Sequence, residues 1–273
     1  GPLKSGIAAE TGLANLNVVA SLSHDTACAV AACPAEGDRW AYISSGTWSL
    51  MGLELPGPIV SDTCRELNFT NEVGYGGSIR LLKNIIGLWL VQECRRAWAA
   101  QGNEYSYADL AEQAGVAEPY VSVLNPSDPR FLAPDDMPQR IGDYCRETNQ
   151  PIPETPGAVV LCALESLSLL YARTLCESEE LVGWQATTLH IVGGGSRNEL
   201  LNQLSADAAN IRVVAGPAEA TASGNILVQA IAAGAVKDLA EARQIVRNSF
   251  DTKIFEPKPS EAIEAARARF DQL

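Results

Sequence analysis

Basic residues are scarce in this sequence: 20 Lys and Arg stand against 33 Asp and Glu, which gives a formal net charge of −13. Nucleic acids and anionic membranes are polyanions that recruit Lys and Arg, so this balance argues against both as partners. Histidine is rarer still, with only His24 and His190, and a His-rich metal site is therefore not expected. The protein is predicted to act on a small molecule or a protein, with no metal-ligating residues of its own.

Long apolar runs are also missing, because Asp, Glu, Arg or Pro interrupts each one before the ~20 residues that a membrane helix needs. The first residues, GPLKSGIAAETGL, lack the layout of a signal peptide. The seven cysteines are odd in number and form no C-x-x-C pair, which argues against a zinc site and a disulfide framework. Pairing of Cys145 with Cys162 stays open, with the reduced state favoured. A cytoplasmic protein without membrane contact is expected.

What the sequence does have is 47% hydrophobic residues over 273 positions, enough for a substantial core. Its patterns alternate between strand and helix, which predicts an α/β fold built on a mixed sheet. The predicted elements are a buried strand at 18–22, a short helix ending at Pro34, two strands hinged at 45–47, a helix at 82–98, a loop with short helical pieces at 125–156 and a helix at 158–176. They continue with a strand TTLHIV, the loop GGGSRN, a helix ELLNQLSADAA, a strand IRVVAG and a helix EATASGNILVQAIAAGAV.

One candidate site is the segment from Ser23 to Thr26, between the first strand and the first helix. Ligands of α/β proteins collect at such strand ends, so Asp25 is a candidate general base for a substrate hydroxyl. The same residue, or Ser23, also fits a helix cap, and the local sequence alone favours the cap.

Two turns are candidates for holding a phosphate or nucleotide. In 44–47, Ser-Ser-Gly-Thr, the glycine Gly46 permits close backbone approach and Thr47 offers a hydroxyl, although any hairpin uses such residues. In the second turn, Gly193, Gly194 and Gly195 precede a helix whose N-terminus favours an anion. Neither turn is a Rossmann fingerprint or a Walker A loop, and a tight turn explains each equally well.

Two amides, Asn84 and Gln92, fall on one face of the helix predicted at 82–98. A polar group on an otherwise apolar face needs a partner, which either the protein or a ligand provides. Core amides and ligand contacts are equally compatible with this pattern. Tryptophans 48, 89 and 98 are interpreted as core residues.

The order of these motifs resembles one family. SHDTACAV, YISSGTWSLMG, TNEVGYGGSIRLLKNIIGLWLVQECRRAW, LHIVGGGSRNELLNQLSADA and VVAGPAEATASGNILVQAIAAG are similar to successive signatures of the FGGY carbohydrate kinases, and of their rhamnulokinase branch in particular. The likeness runs over nearly the whole chain. It implies an actin-like ATPase (ribonuclease H-like) domain, and transfer of the ATP γ-phosphate to a sugar hydroxyl with Mg²⁺ bridging the phosphates.

The resemblance also implies roles for single residues. Asp25 is the catalytic base. The sugar is contacted by His24, Asp25, Thr26 and Asn84. The nucleotide is contacted by Gly46, Thr47, Gln92, Gly193, Gly194, Gly195 and Asn198, with Asn198 beside the adenine.

Family members carry a further actin-like domain ahead of this one. Residues 1–273 are therefore expected to be the second, ATP-binding and base-bearing domain, with the N-terminal domain absent from this chain and required as its partner. L-rhamnulose, phosphorylated to L-rhamnulose 1-phosphate, is the expected sugar substrate. Alternatives are a kinase for fuculose, xylulose or the autoinducer-2 precursor, and a non-catalytic module that binds a nucleotide or partner protein. The exposed cleft wall also leaves room for a homodimer.

Overall fold

Seven strands form one mixed sheet in the computed structural model, which describes all 273 residues. The strands are β1 (Trp40–Ser45), β2 (Trp48–Leu55), β3 (Thr70–Val73), β4 (Ile79–Ile86), β5 (Thr188–Val192), β6 (Val213–Ala215) and β7 (Lys253–Phe255). Their order across the sheet is β3-β4-β2-β1-β5-β6-β7. β1, β5 and β6 run parallel, and every other neighbouring pair is antiparallel. The predicted α/β fold on a mixed sheet is confirmed.

Eleven helices accompany the sheet. They are α1 (Ser5–Thr11), α2 (Asp25–Ala31), α3 (Asp62–Glu66), α4 (Trp89–Ala100), α5 (Tyr107–Gly115), α6 (Met137–Glu147), α7 (Pro156–Val182), α8 (Glu199–Ala209), α9 (Ala220–Ala232), α10 (Leu239–Ser249) and α11 (Glu261–Phe270). Short 3-10 turns at 75–77, 129–131 and 194–197 complete the secondary structure.

The two faces of the sheet bury different helices because successive side chains of a strand point to opposite sides. Ala41 and Ile43 of β1 join the main core with α4, α6, α7, α8 and α11, and we call this side the major face. Trp40 and Tyr42 of β1 join a smaller core with α2, α9 and α10, and we call this side the minor face.

The central helix of the major face is α7, which begins with Thr155 as its N-cap and ends at Gly183, whose φ of 74° is left-handed. It is longer than the predicted helix at 158–176. It is the one helix long and apolar enough to cross a membrane, and 83% of its most apolar window is buried inside the protein. The helix is a core element, which explains its all-round apolar composition.

Three sequence predictions were wrong. Residues 82–98 do not form one helix, because β4 occupies 79–86 and α4 begins only at Trp89. Residues 18–22 form no strand and are not buried. Trp48 is 45% exposed instead of lying in the core. In addition, the predicted loop at 125–156 contains an eleven-residue helix, α6, which buries Ile141 and Tyr144.

All seven cysteine thiols are free, and six of them are buried. Cys145 of α6 and Cys162 of α7 share a thiol hydrogen bond, which lowers the pKa of Cys145 and raises that of Cys162. The two helices are therefore packed together through unbridged sulfur atoms.

Candidate nucleotide and sugar site

A cavity of about 800 Å³ opens on the major face beside the ends of β1 and β5. Segments far apart in sequence line it: the β1–β2 turn, α4, α5, α7, and the loop that leads into α8. The predicted nucleotide contacts among its lining residues are Gly46, Thr47, Gln92, Gly194, Gly195 and Asn198. Gly193 is not among the lining residues.

The loop after β5 fits against β1 only because it lacks side chains. Gly193 has a φ of +85°, and a Cβ there would lie 2.8 Å from the Ser45 carbonyl oxygen. A Cβ at Gly195 would overlap the Ser45 side chain, whereas one at Gly194 would meet nothing within 4 Å. The first and third glycines thus hold the loop on the sheet, and the second leaves its backbone open toward the cavity.

The next helix begins immediately after this loop. Asn198 is the N-cap of α8, and its Oδ1 accepts a hydrogen bond from the Leu201 backbone N–H at 3.0 Å. Asn202 donates from Nδ2 to the Ser196 carbonyl at 2.8 Å, which secures the loop from the other side. A single side chain, Asn198, therefore both caps the helix and lines the cavity.

The β1–β2 turn is fixed from the opposite side by the start of α4. The Gly87 and Trp89 N–H groups each donate to the Thr47 carbonyl at 3.1 Å, and the Leu88 N–H donates to the Gly46 carbonyl at 3.0 Å. The Thr47 hydroxyl has no hydrogen-bond partner inside the chain, and Gln92 lies one turn into α4; both residues line the cavity. Hydroxyl and amide groups thus face the cavity in a fixed frame.

Sequence reasoning missed the apolar wall of this cavity. It is formed by Leu88, Val91, Tyr107, Ala108, Leu110, Ala111, Val160, Leu164 and Leu200, and the remaining charged lining residues are Arg197 and Glu199. Helices α5 and α7 carry ordinary amphipathic patterns, so only their tertiary placement reveals this role. A flat apolar wall opposite polar backbone suits an aromatic base.

Asp25 lies at the other candidate site, at the start of α2 on the minor face. Its Oδ1 accepts from the Thr26 N–H at 2.8 Å and lies 3.0 Å from His24 Nδ1. Its Oδ2 has no partner in the chain, and the side chain is 78% exposed. One oxygen therefore fixes the carboxylate while the other stays free to accept a proton.

His24 is the N-cap of α2, and its Nδ1 also accepts from the Thr26 N–H, at 3.1 Å. Nδ1 lies within hydrogen-bond distance of both the Thr26 N–H and Asp25 Oδ1, whereas Nε2 has no partner inside the chain. Thr26 itself is only 5% exposed, so its contribution here is to orient its two neighbours through its backbone N–H.

Asn84 does not share a helix with Gln92, as the sequence pattern had suggested. It lies in β4 opposite Leu50 and is exposed. Alternation along β4 puts it on the side of Leu82, which belongs to the minor-face core. Asn84 therefore lies on the same face as Asp25, and Gln92 belongs to the cavity on the major face.

Both sites lie at the end of the sheet where the parallel strands finish. The parallel strands β1 and β5 end at the loops that line the cavity, and β6 finishes at the same end of the sheet before α9 begins. Residues 32–39 link α2 to β1, so α2 runs back along β1 and its first residue, Asp25, lies near the end of that strand. Tight packing of α2 along α9, where a Cβ on Gly224 would overlap the Cys28 backbone, supports this direction.

A resident metal site is a separate question, and the chain contains no group of three or more His, Cys, Asp or Glu side chains that could hold an ion.

Comparison with solved structures identifies the fold. The fold matches a xylulose kinase from Rhodospirillum rubrum with a TM-score of 0.71 at 15% identity, over 100% of this chain and 54% of that one. It matches a Plasmodium falciparum glycerol kinase solved with ADP with a TM-score of 0.65 at 14% identity, over 91% of this chain and 48% of that one. The domain has the actin-like ATPase fold of sugar kinases.

Sequence comparison is more specific. The model of the FGGY family of carbohydrate kinases, C-terminal domain, matches residues 41–233, and the chain belongs to this family. It is 46% identical to a rhamnulokinase of Bacteroides thetaiotaomicron, over 99% of this chain and 55% of that protein. It is 49% identical to a rhamnulokinase of Bacillus subtilis, over 88% of this chain and 49% of that protein. The chain thus spans about half the length of the curated relatives it matches.

Proposed function

We propose that this chain is the ATP-binding and base-bearing half of an L-rhamnulose kinase, which forms L-rhamnulose 1-phosphate when an N-terminal kinase domain completes it. The observation that carries the proposal is the cavity, which gathers six predicted nucleotide contacts from three distant parts of the chain. Identity of 43–49% to rhamnulokinases favours L-rhamnulose over the other ketoses.

The nucleotide is proposed to lie with its base against the apolar wall and its phosphates toward Gly46 and Thr47. Backbone N–H groups and a hydroxyl then surround the phosphate chain. The chain is acidic overall, so Mg²⁺ supplies most of the positive charge when MgATP is bound. Asn198 and the backbone at Gly194 border the base.

The sugar is proposed to lie on the minor-face side, at the end of the sheet where the parallel strands finish. The free Oδ2 of Asp25 accepts the proton of the attacking hydroxyl, while the unpartnered His24 Nε2 and the Asn84 amide bind the other polar groups of the sugar. Phosphoryl transfer passes through a loose, in-line transition state, so orientation and exclusion of water carry most of the catalysis. Phosphoryl transfer needs a cleft that encloses both reactants, and we propose that the N-terminal domain forms its second side.

The proposal also includes the cellular location of the protein and its place in the complete kinase. ATP consumption and unbridged thiols favour the cytoplasm. Residues 1–273 are proposed to be the second domain of the kinase.

The test joins this chain to the N-terminal half of the Bacteroides thetaiotaomicron rhamnulokinase and measures ADP release with L-rhamnulose. We expect sugar-dependent ADP release, lowered about 10²-fold or more by Asp25→Asn. Asp62→Asn is the matched control, because Asp62 is an equally exposed acid at the first position of α3.

Full activity of the Asp25→Asn enzyme would show that Asp25 only caps its helix. A clear preference for another ketose in a substrate panel would remove L-rhamnulose from the proposal. Calorimetric titration of the chain with ADP tests the cavity separately.

A further inference from the structure

Trp48 is a large aromatic side chain in an unusual place. It is 45% exposed, although β2 is hydrogen-bonded to β1 on one side and to β4 on the other. Aromatic residues on interior strands normally bury 150–250 Å² each against a core, so such an exposed indole needs a reason.

The backbone that carries this indole is rigid. The Trp48 carbonyl accepts from the Gly46 N–H at 2.9 Å, and Trp48 pairs in register with Ile86. Gly87, next to Ile86, has no room for a side chain, since a Cβ would lie 2.8 Å from the Gly46 carbonyl oxygen. The exposed ring is therefore presented on a fixed support.

Alternation places the ring on the minor face. Leu50, two residues further along β2, packs against the minor-face core, and Trp48 points to the same side. Leu50 pairs directly with Asn84, so Trp48 is the diagonal neighbour of Asn84 across the two strands. Diagonal neighbours lie about 7–8 Å apart, within the reach of an indole.

The indole thus lies beside the Asn84 amide, on the face of the sheet that also carries α2 and Asp25. The Asn84 amide and the Asp25 carboxylate can bind the hydroxyl groups of a sugar, and the indole ring provides a large apolar surface on the same face. A carbohydrate with one apolar end fits such a combination, because burying a methyl group on an aromatic face is favourable whereas burying an unpaired hydroxyl is not.

We propose that Trp48 is the platform on which the ketose lies, and that it favours a ketose whose terminal carbon is a methyl group over one with a terminal hydroxymethyl group. This rests on the proposed function and names a specificity-determining residue for it. A hydrophobic surface rejects an added hydroxyl by at most ~10²-fold, so the expected selectivity is moderate.

The first test observes binding alone. The indole N–H signals of the completed kinase are recorded by NMR, the Trp48 signal is assigned with Trp48→Phe, and L-rhamnulose is added. We expect the Trp48 signal to move, and the signal of Trp89, whose Nε1–H donates to the Phe131 carbonyl at 3.0 Å, to stay. Movement of other indoles without Trp48 would overturn the proposal.

The second test uses the completed kinase with L-rhamnulose and with L-fructose, its analogue with a terminal hydroxymethyl group. Trp48→Ala is expected to lower kcat/KM for L-rhamnulose by about 10–100-fold, mainly through KM, and to lower it less for L-fructose, so the preference shrinks. Trp48→Phe is expected to retain most of the preference. An equal loss for both sugars would mean that Trp48 packs on the other domain, which refutes the proposal.

The two proposals fail in different ways. The kinase proposal is wrong if the completed enzyme releases no ADP, or if Asp25→Asn does not change the rate of release. The Trp48 proposal is wrong if the enzyme is active and depends on Asp25, but Trp48→Ala leaves the ratio of kcat/KM for the two sugars unchanged.

Discussion

The three glycines of the loop after β5, Gly193, Gly194 and Gly195, have different structural roles. The space around each Cβ position differs: Gly195 lies against Ser45, whereas Gly194 faces open space beside the cavity. Sequence alone marks a glycine-rich turn but cannot say which glycine is needed for packing and which for ligand approach.

Gly195→Ala is expected to lower the free energy of unfolding by about 1–3 kcal/mol, because the new methyl group overpacks against Ser45. Gly194→Ala is its matched control for stability, and we expect no change in the melting temperature. In a titration with ADP, however, Gly194→Ala is expected to weaken binding by about 10-fold, since its methyl group enters the cavity. Equal melting temperatures for the two variants would contradict the assigned packing.

At the scale of helices and strands, the placement of Asp25 depends on how α2 packs on α9. The two helices touch so closely at Gly224 that a Cβ there would overlap the Cys28 carbonyl oxygen, one turn after Asp25. Any side chain at this position must push α2, and with it Asp25, away from α9.

Gly224→Ala is therefore expected to cost about 1–3 kcal/mol of stability and to lower sugar phosphorylation by the completed kinase. ADP affinity should stay the same, because the cavity lies on the major face. Gly115→Ala at the end of α5, where nothing lies within 4 Å, serves as the control and should change neither stability nor rate. Unchanged activity in a destabilised Gly224→Ala enzyme would mean that α2 does not position the base.

Local sequence predicted the elements whose signals are local. The hinge at 45–47, the strand before the glycine loop and the helix after it are all present, because turn chemistry and capping act over a few residues. The end of β4 was taken for part of a helix because Ile85 and Ile86 extend the helical spacing of the apolar residues of α4, and periodicity alone does not separate a short buried strand from a helix.

The candidate site shows the same limit. Its glycines and hydroxyls were found from turn chemistry, whereas Tyr107 and Leu164 were not, because ordinary helix patterns do not say which helix faces a cavity. The exposure of Trp48 was also missed, since composition assigns an aromatic residue of a strand to the core. The positions of Tyr107, Leu164 and Trp48 relative to the cavity and the core depend on the tertiary structure, which local sequence does not specify.

For the whole molecule, the balance of buried titratable groups sets the pH dependence of stability. His190 of β5 has its pKa lowered to about 4 by burial and by Arg243 and Arg247. It stays neutral in the folded state while the unfolded chain binds a proton, so it contributes stability that is lost as the pH falls from about 6.5 to about 4. Acid therefore weakens the fold through the minor face.

Glu165 of α7 acts in the opposite direction. Burial raises its pKa to about 8, although both carboxyl oxygens accept from the Tyr120 N–H and Arg269 acts to lower it. The folded state keeps the proton up to about pH 8, whereas the unfolded chain releases it near pH 4.5. Its contribution to stability is present below pH 4.5 and is lost as the pH rises to about 8.

His190 is present in both chains and cancels in their difference, so comparing Glu165→Gln with the unmodified chain between pH 6.5 and 8 isolates the effect of Glu165. Glu165→Gln keeps an oxygen for the Tyr120 N–H but has no proton to lose, so its stability relative to the unmodified chain should rise over this range and level off above pH 8. Denaturant unfolding at a series of pH values measures this difference. Glu112→Gln, at an exposed position of α5, should show no such rise, and a flat difference for Glu165→Gln would mean that Glu165 is ionised in the fold.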